Sequence, residues 1–253
     1  MASGRFGLLL NLARGLPAFL RDPVIPSQAP EGILYRLEHR DELFLSLIDA
    51  TVYKNPSSPY HALLLQAGCE AGDLRQSIHS LGLESTLEKL RDEGVRLSLE
   101  EFKCQEPIRR SELHVVTKQS DFDNPLVSVC GISGKSSATR STGTQTNYTW
   151  PFIAEEAENE SVLYKEHGVL DASLALWYPV HTSIAGIHNM LMNLKYHRAP
   201  EKWFSHTAER SMRDHFMIAY LGWCAQRQGM SSPKPETVRL SDALNVATWM
   251  EDR

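Results

Sequence analysis

The stretch "GKSSATRSTGTQT", Gly134 to Thr146, holds nine Ser, Thr or Gly residues, two basic residues and one aliphatic methyl group, from Ala138. Small residues let backbone N–H groups converge on an anion, and hydroxyls donate further bonds to it. A run of this kind between a strand and a helix is therefore suited to holding phosphate. Lys135 and Arg140 supply positive charge. The Walker A pattern G-x-x-x-x-G-K-[ST] is met only in its second half: "GISGKS" ends correctly at Gly134, Lys135 and Ser136, but the position of the leading glycine, 129, is valine. Gly131 comes two residues too late, which makes the loop too short to wrap a β-phosphate. The hydrolase pattern G-x-S-x-G fails as well, since Ser133 is followed by Gly134 and Lys135. A plain polar connection on the surface of a non-catalytic α/β interaction module has the same composition. The residue types thus leave three readings open: a nucleotide-phosphate loop, a P-loop phosphotransferase centred on Lys135, and a connection without chemistry.

Other residues with chemical potential form no comparable pattern. His181, in "WYPVHTS", stands just past a strand end, where a histidine is either exposed or part of a pocket wall. His181 and His188 lie seven apart, with His197 and His206 beyond, but no carboxylate or cysteine completes a metal set at ligand spacing. The acids Glu155, Glu156, Glu158 and Glu160 read as the solvated face of a helix. Trp177, Tyr178, Trp203, Phe204 and Trp223 read as packing residues. Cys69, Cys104, Cys130 and Cys224 are widely spaced with no C-x-x-C, the usage of a reduced, cytoplasmic protein.

The elements that must position the loop follow from periodicity and punctuation. "RFGLLLNLARGLPAFLR" carries Arg5, Arg14 and Arg21 with no acid before Asp22; it shares this composition with transit peptides, but reads as an amphipathic helix broken at Pro17. From Glu38 to Lys103 the pattern is helical: "EHRDELFLSLIDATVYK" places Leu43, Leu47 and Ile48 on one stripe, and further helices end at Gly68 and Gly94. Capping boxes are predicted at Ser85 to Glu88 and at Ser98 to Glu101. After Pro107 the texture changes. "ELHVVTK" (112–118) and "LVSVC" (126–130) read as strands, and the hydroxyl-rich run is expected to lead directly into a helix. That helix starts at Pro151 and ends at Gly168, with Ile153, Ala157 and Leu163 inward. "SLALWYPV" (173–180) is a buried strand, and helices follow at 183–197, at 208–228 and from an N-cap at Ser241. The expected fold class is α/β: a helical N-terminal region, residues 1–106, followed by a mixed sheet with crossover helices, residues 107–253.

Composition sets the outer limits. A chain of 253 residues, 42% hydrophobic and 23% charged, can bury a substantial core. A net charge of -5 points away from a nucleic-acid partner. No apolar run is long enough to span a bilayer, so no membrane partner is expected.

The segment "SSATRSTGT", Ser136 to Thr144, resembles the Ser/Thr/Gly-rich phosphate loop of the adenylate-forming superfamily, in the branch of phenylacetate-coenzyme A ligases and acyl-protein synthetases. Neighbouring segments resemble that branch in the same order: "NPSSPYHALLLQAG", "LEKLRDEGVRLSLEEFKCQEPI", "DFDNPL" and "LALWYPVHTSIAGIHNML". The resemblance runs from about Asn55 to the end, with the loop as its only motif. It implies that Ser136, Ser137, Thr139, Ser141 and Thr144 bond the β- and γ-phosphates of ATP, that Gly143 permits close backbone approach, and that Arg140 offsets phosphate charge. It further implies Mg2+ accompanying the ATP, His181 at the substrate pocket, a carboxylic acid as substrate, and a thiol, coenzyme A above all, as acyl acceptor. Ser137, Ala138 and Thr146 stand where the family has glycines. The family's Tyr-Gly-x-[Ser/Thr] adenine motif, ribose-binding Asp and late catalytic Lys find no counterpart before Arg253. The resemblance therefore implies the N-terminal part of such a ligase, not catalytically complete alone.

Overall fold

The computed structural model describes residues 2–126, 130–135, 145–180, 184–208 and 211–253. The chain divides into two compact units: Leu34–Ser128, and Met1–Ile33 together with Val129–Arg253. The texture change at Pro107 does not coincide with either boundary. Local composition registers where helices give way to strands, whereas the unit boundaries depend on where the first helix finds its partners.

That helix, α1 (Ala2–Arg21), is continuous through Pro17 and is not broken there. Its buried residues Leu12, Leu16, Phe19 and Leu20 recur at helical spacing and join the main core. Proline lacks the N–H that would donate to the carbonyl four residues earlier. The carbonyl so orphaned is that of Ala13, and the Tyr220 hydroxyl donates to it at 2.5 Å. A tertiary bond thus replaces the missing helical one. The next helix, α2 (Ala29–Glu38), runs out of this unit into the other.

Leu34–Ser128 holds five short helices: α3 (Arg40–Ile48), α4 (Pro59–Gln66), α5 (Ala71–Leu81), α6 (Leu83–Asp92) and α7 (Leu99–Phe102). Its core comprises Val52, Leu64, Cys69, Leu74, Ile78 and Leu90. Leu43 and Leu47, expected on an apolar stripe, stay exposed while Phe44, Leu45 and Ile48 pack inward. The predicted capping box at Ser85 is absent, because α6 begins two residues earlier at Leu83, off Gly82 at φ +82°. Such a φ suits glycine, and it lets α5 end and α6 begin without a linker. The box at Ser98 forms: the Ser98 hydroxyl accepts from the Glu101 N–H at 3.1 Å, and the Glu101 carboxylate from the Ser98 N–H at 2.8 Å. Arg110, on β1 (Ile108–Arg110), grips the same carboxylate with two nitrogens, at 2.7 and 2.9 Å. Strand β1 pairs antiparallel with β2 (Leu113–Val115).

The other unit carries β3 (Cys130–Lys135) and β4 (Gln145–Thr149), an antiparallel hairpin, then α8 (Trp150–Glu166). After these come β5 (Ala175–Trp177), α9 (Ala185–Lys195), β6 (Lys202–Ser205), α10 (Met212–Gln226), β7 (Pro235–Thr237) and α11 (Ala243–Glu251). Strands β5, β6 and β7 lie parallel in that order, with α9 and α10 as crossovers. The α/β class therefore holds, but among the described residues the strands form three separate small sheets rather than one mixed sheet. Trp203 is 1% exposed at the centre of the parallel sheet, and its ring lies against Gly186, where an added Cβ would come within 2.5 Å of it. Trp177 and Trp223, by contrast, keep large exposed faces.

Candidate functional site

The hydroxyl-rich run does not feed a helix directly. It joins two strands, with Lys135 paired to Gln145, and only then does α8 begin. Glycines disguise β3 as loop in the sequence, and β4 is the short alternation "QTNYT". A bulge between Cys130 and Ile132 leaves Gly131 against the Trp150 ring, where an added Cβ would meet Cδ2 at 2.9 Å. Thr149 closes the hairpin and caps α8, its hydroxyl accepting from the Phe152 N–H at 3.3 Å. Pro151 occupies the first turn, where its missing N–H costs nothing.

Ser136, Ser137, Thr139, Arg140, Ser141, Gly143 and Thr144 all lie outside the described residues, as does His181. Their flanking residues are described, and they meet. Gly134, near the end of β3, lies against Ile184, which precedes α9; a methyl group added at Gly134 would come within 2.5 Å of Ile184 Cβ. Leu12, Ile132, Ser133, Ile184, Arg213 and Met217 line one narrow crevice there. The first turn of α9, whose N-terminus lies beside Gly134, carries no acidic side chain of its own. Arg213 is exposed and has no acidic partner among the described residues. A strand end, a helix N-terminus and a free guanidinium at one place favour an anion. Arg213 is the residue that sequence reasoning missed. Its position, eight residues after the end of β6, gives no signal, since only the fold carries α10 to β3.

Next to the hairpin, two polar pairs link α8 to α9. His188 Nε2 lies 2.8 Å from Glu156 Oε2, and the imidazole also packs on Tyr148 of β4 with ring centroids 4.6 Å apart. One turn on, the Tyr196 hydroxyl donates to Glu160 at 3.1 Å and to Asn193 Oδ1 at 2.6 Å, while Tyr164 donates to Glu160 at 3.3 Å. Burial raises the Glu160 carboxyl above the ordinary carboxylate range. Glu156 and Glu160 therefore do not belong to a solvated face. They share a flank with Ile153, Ala157 and Ser161, all fully buried, whereas Leu163, expected inward, is 53% exposed. The spacing of four between Glu156 and Glu160, matching Ile153 to Ala157, was the available signal.

Lys195 is a third buried polar group. Its ammonium donates to the Phe19 carbonyl at 2.9 Å and to the Asp22 carbonyl, and sits 4.5 Å from the centre of the Phe19 ring. It thereby satisfies carbonyls at the end of α1. Burial lowers its pKa. Among the described residues no three His, Cys, Asp or Glu side chains stand together as a metal site, and no carboxylate lines the crevice below β3. No ligand for Mg2+ is therefore assigned. No helix of the described residues is long and apolar enough to cross a membrane. Comparison of the chain with protein-family models, with curated proteins and with solved structures finds no match.

Proposed function

We propose that this chain binds the triphosphate of ATP at the β3–β4 connection, as the N-terminal part of an adenylate-forming ligase. In this reading the partner reactions are adenylation of a small carboxylic acid and transfer of the acyl group to a thiol, coenzyme A being the expected acceptor. The observation that carries it is the meeting of Gly134 with Ile184 beside Arg213. It puts the start of the hydroxyl-rich run next to a helix N-terminus and an unpaired cation, which is the electrostatic setting a polyphosphate needs. Residues 136–144 would supply hydroxyl and backbone donors, Arg140 and Arg213 charge, and His181 a contact to the acid. The work of such a site is positional and electrostatic: it aligns the α-phosphate for attack by the substrate carboxylate and steadies the departing pyrophosphate.

The test is a titration of this chain with MgATP, followed by thermal denaturation and by calorimetry. A ligand at a hundredfold its dissociation constant adds about 2.7 kcal/mol to the unit that binds it. Arg140→Ala, Thr144→Ala and Arg213→Gln should each weaken binding. Absence of any nucleotide effect would leave an interaction module in place of an ATP site. Loss of binding on Lys135→Ala, with Arg140→Ala silent, would assign the loop to a phosphotransferase instead.

A further inference from the structure

The outer side of α10 is apolar for about three turns. Met212, Phe216, Ala219 and Trp223 recur there at intervals of four, three and four, so they form one stripe, roughly 17 Å long at the helical rise per residue. Met212 is 87% exposed, Phe216 54% and Trp223 47%. The rings are stacked into a shelf: Phe216 lies on Tyr220 at 6.1 Å and 3°, and Tyr220 on Trp223 at 5.8 Å and 25°. Large apolar groups held in a row on a surface mark a place where something docks. Helix α1 runs alongside in the same direction: Leu12 shares a crevice with Met217, Tyr220 bonds the Ala13 carbonyl, and Pro17 and Arg21 border a hollow with Trp223 and Arg227. Arg14, Pro17 and Arg21, spaced by three and four, therefore form a stripe of α1 turned to the same side as the shelf.

Charge selects the occupant. The chain as a whole carries -5, yet α1 contains three arginines and no acid. The single acid of α10, Asp214, is 7% exposed, and its Oδ2 accepts from the Ser211 hydroxyl. Asp22, which follows Arg21, lines a separate cavity with Lys195. Arg14, Arg21 and Arg227 are exposed, and none has an acidic partner among the described residues. The C-terminal poles of the two helices take up part of the charge of Arg21 and Arg227, but Arg14 stands about two turns before the end of α1, out of reach of its pole. A second copy of the chain would set these arginines against their own kind with no carboxylate to receive them. An anionic bilayer supplies acceptors without fixed positions, and its interfacial layer is where Trp and Tyr rings settle. Negative charge elsewhere on the chain is screened beyond about 8 Å at physiological salt. No described helix is long and apolar enough to cross a bilayer, so the contact is with its surface. We infer that the face formed by α1 and α10 docks on anionic lipid membranes, Met212, Phe216 and Trp223 entering the interface and Arg14, Arg21 and Arg227 meeting the headgroups. This face shares no residue with the crevice below β3, so it stands or falls apart from the ATP reading.

The test is co-sedimentation of the whole chain with vesicles of phosphatidylcholine alone and of equal parts phosphatidylcholine and phosphatidylserine. Binding to the mixed vesicles is expected, at least about tenfold weaker to phosphatidylcholine alone and weakened by added salt. Arg14→Gln should reduce it about fivefold, and Phe216→Ser and Trp223→Ser each about fivefold or more. Leu244→Ser, at a 76% exposed position on α11, should leave it unchanged. Brominated lipid should quench the tryptophan fluorescence of the bound chain, and Trp223→Phe, which keeps an aromatic ring, should still bind while losing most of that quenching. Absence of binding to the mixed vesicles would overturn the proposal and leave the shelf to a protein partner. Equal binding to both vesicles, or undiminished quenching in Trp223→Phe, would overturn it too. A dimer in analytical ultracentrifugation that Phe216→Ser dissolves would assign the face to a second copy instead. Should a variant lose its fold, the two vesicle compositions and the salt dependence on the unaltered chain still decide whether anionic lipid is bound.

Discussion

The bond from Tyr220 to Ala13 can be isolated by experiment, because the reason for it is a single missing atom. Pro17 has no N–H, and the Ala13 carbonyl accepts from the Tyr220 hydroxyl instead, at 2.5 Å. Burial pushes that hydroxyl up to about 12, so it remains a donor throughout the neutral range. Tyr220→Phe leaves the carbonyl without a protein donor at a partly buried place, a loss of about 1–2 kcal/mol. For a chain of this size each kcal/mol shifts Tm by about 2–4 °C. Pro17→Ala restores the helical donor, so in that background Tyr220→Phe should cost less, by about 0.5 kcal/mol or more. The assay is urea denaturation followed by tryptophan fluorescence. All five tryptophans, Trp150, Trp177, Trp203, Trp223 and Trp249, lie in the unit that contains α1, so the signal reports that unit alone. An equal cost of Tyr220→Phe in both backgrounds would refute the compensation.

Two further predictions concern stability. Arg110 holds the Glu101 carboxyl at about 2, from an ordinary value of 4.5, through its hydrogen bonds to the carboxylate. A carboxyl depressed in the folded state contributes stability above its unfolded value and loses it as pH falls toward the folded one. Stability of Leu34–Ser128, measured by far-UV circular dichroism, should therefore decline between about pH 4.5 and 2, and Glu101→Gln should flatten that decline. Gly15→Ala would normally favour a helix, but the new methyl group would collide with the Trp150 indole nitrogen. It should destabilise by about 1–3 kcal/mol, and Trp150→Phe, which removes that nitrogen, should recover part of the loss. Recovery of nothing would show that the clash is not with the indole. The nucleotide titration described above completes the set.

The elements that could be read from sequence were those whose signals are local. The Ser98 box needed only two side chains three apart, and Gly68, Gly94 and Gly168 stop their helices with positive φ, as punctuation implies. Three of the failures have a common cause, which is that contacts between separate elements decided the outcome. Pro17 should break a helix, but a hydroxyl 207 positions from the orphaned Ala13 carbonyl repairs it. The glycines of "CGISGK" should end a strand, but close packing against Trp150 and Ile184 requires glycine at Gly131 and Gly134. Charge alone put Glu156 and Glu160 in solvent, and only α9 supplies His188 and Tyr196 to receive them. The hydroxyl-rich run stood out as candidate chemistry, but residues 136–144 lie outside the described residues. The crevice below β3 was not legible, because Ile184 and Arg213 reach it from the start of α9 and from α10.

The tie between Lys195 and the Phe19 carbonyl spans 176 positions, and it bears on how the protein is made. At roughly 5–20 residues per second, α1 leaves the ribosome some 10–35 s before the lysine that secures it. Leu34–Ser128 emerges in the interval and carries its own core, so it can condense first. The N-terminal helix meanwhile waits with Leu12, Leu16, Phe19 and Leu20 uncovered, because the residues of α9 and α10 that share their core are still to be made.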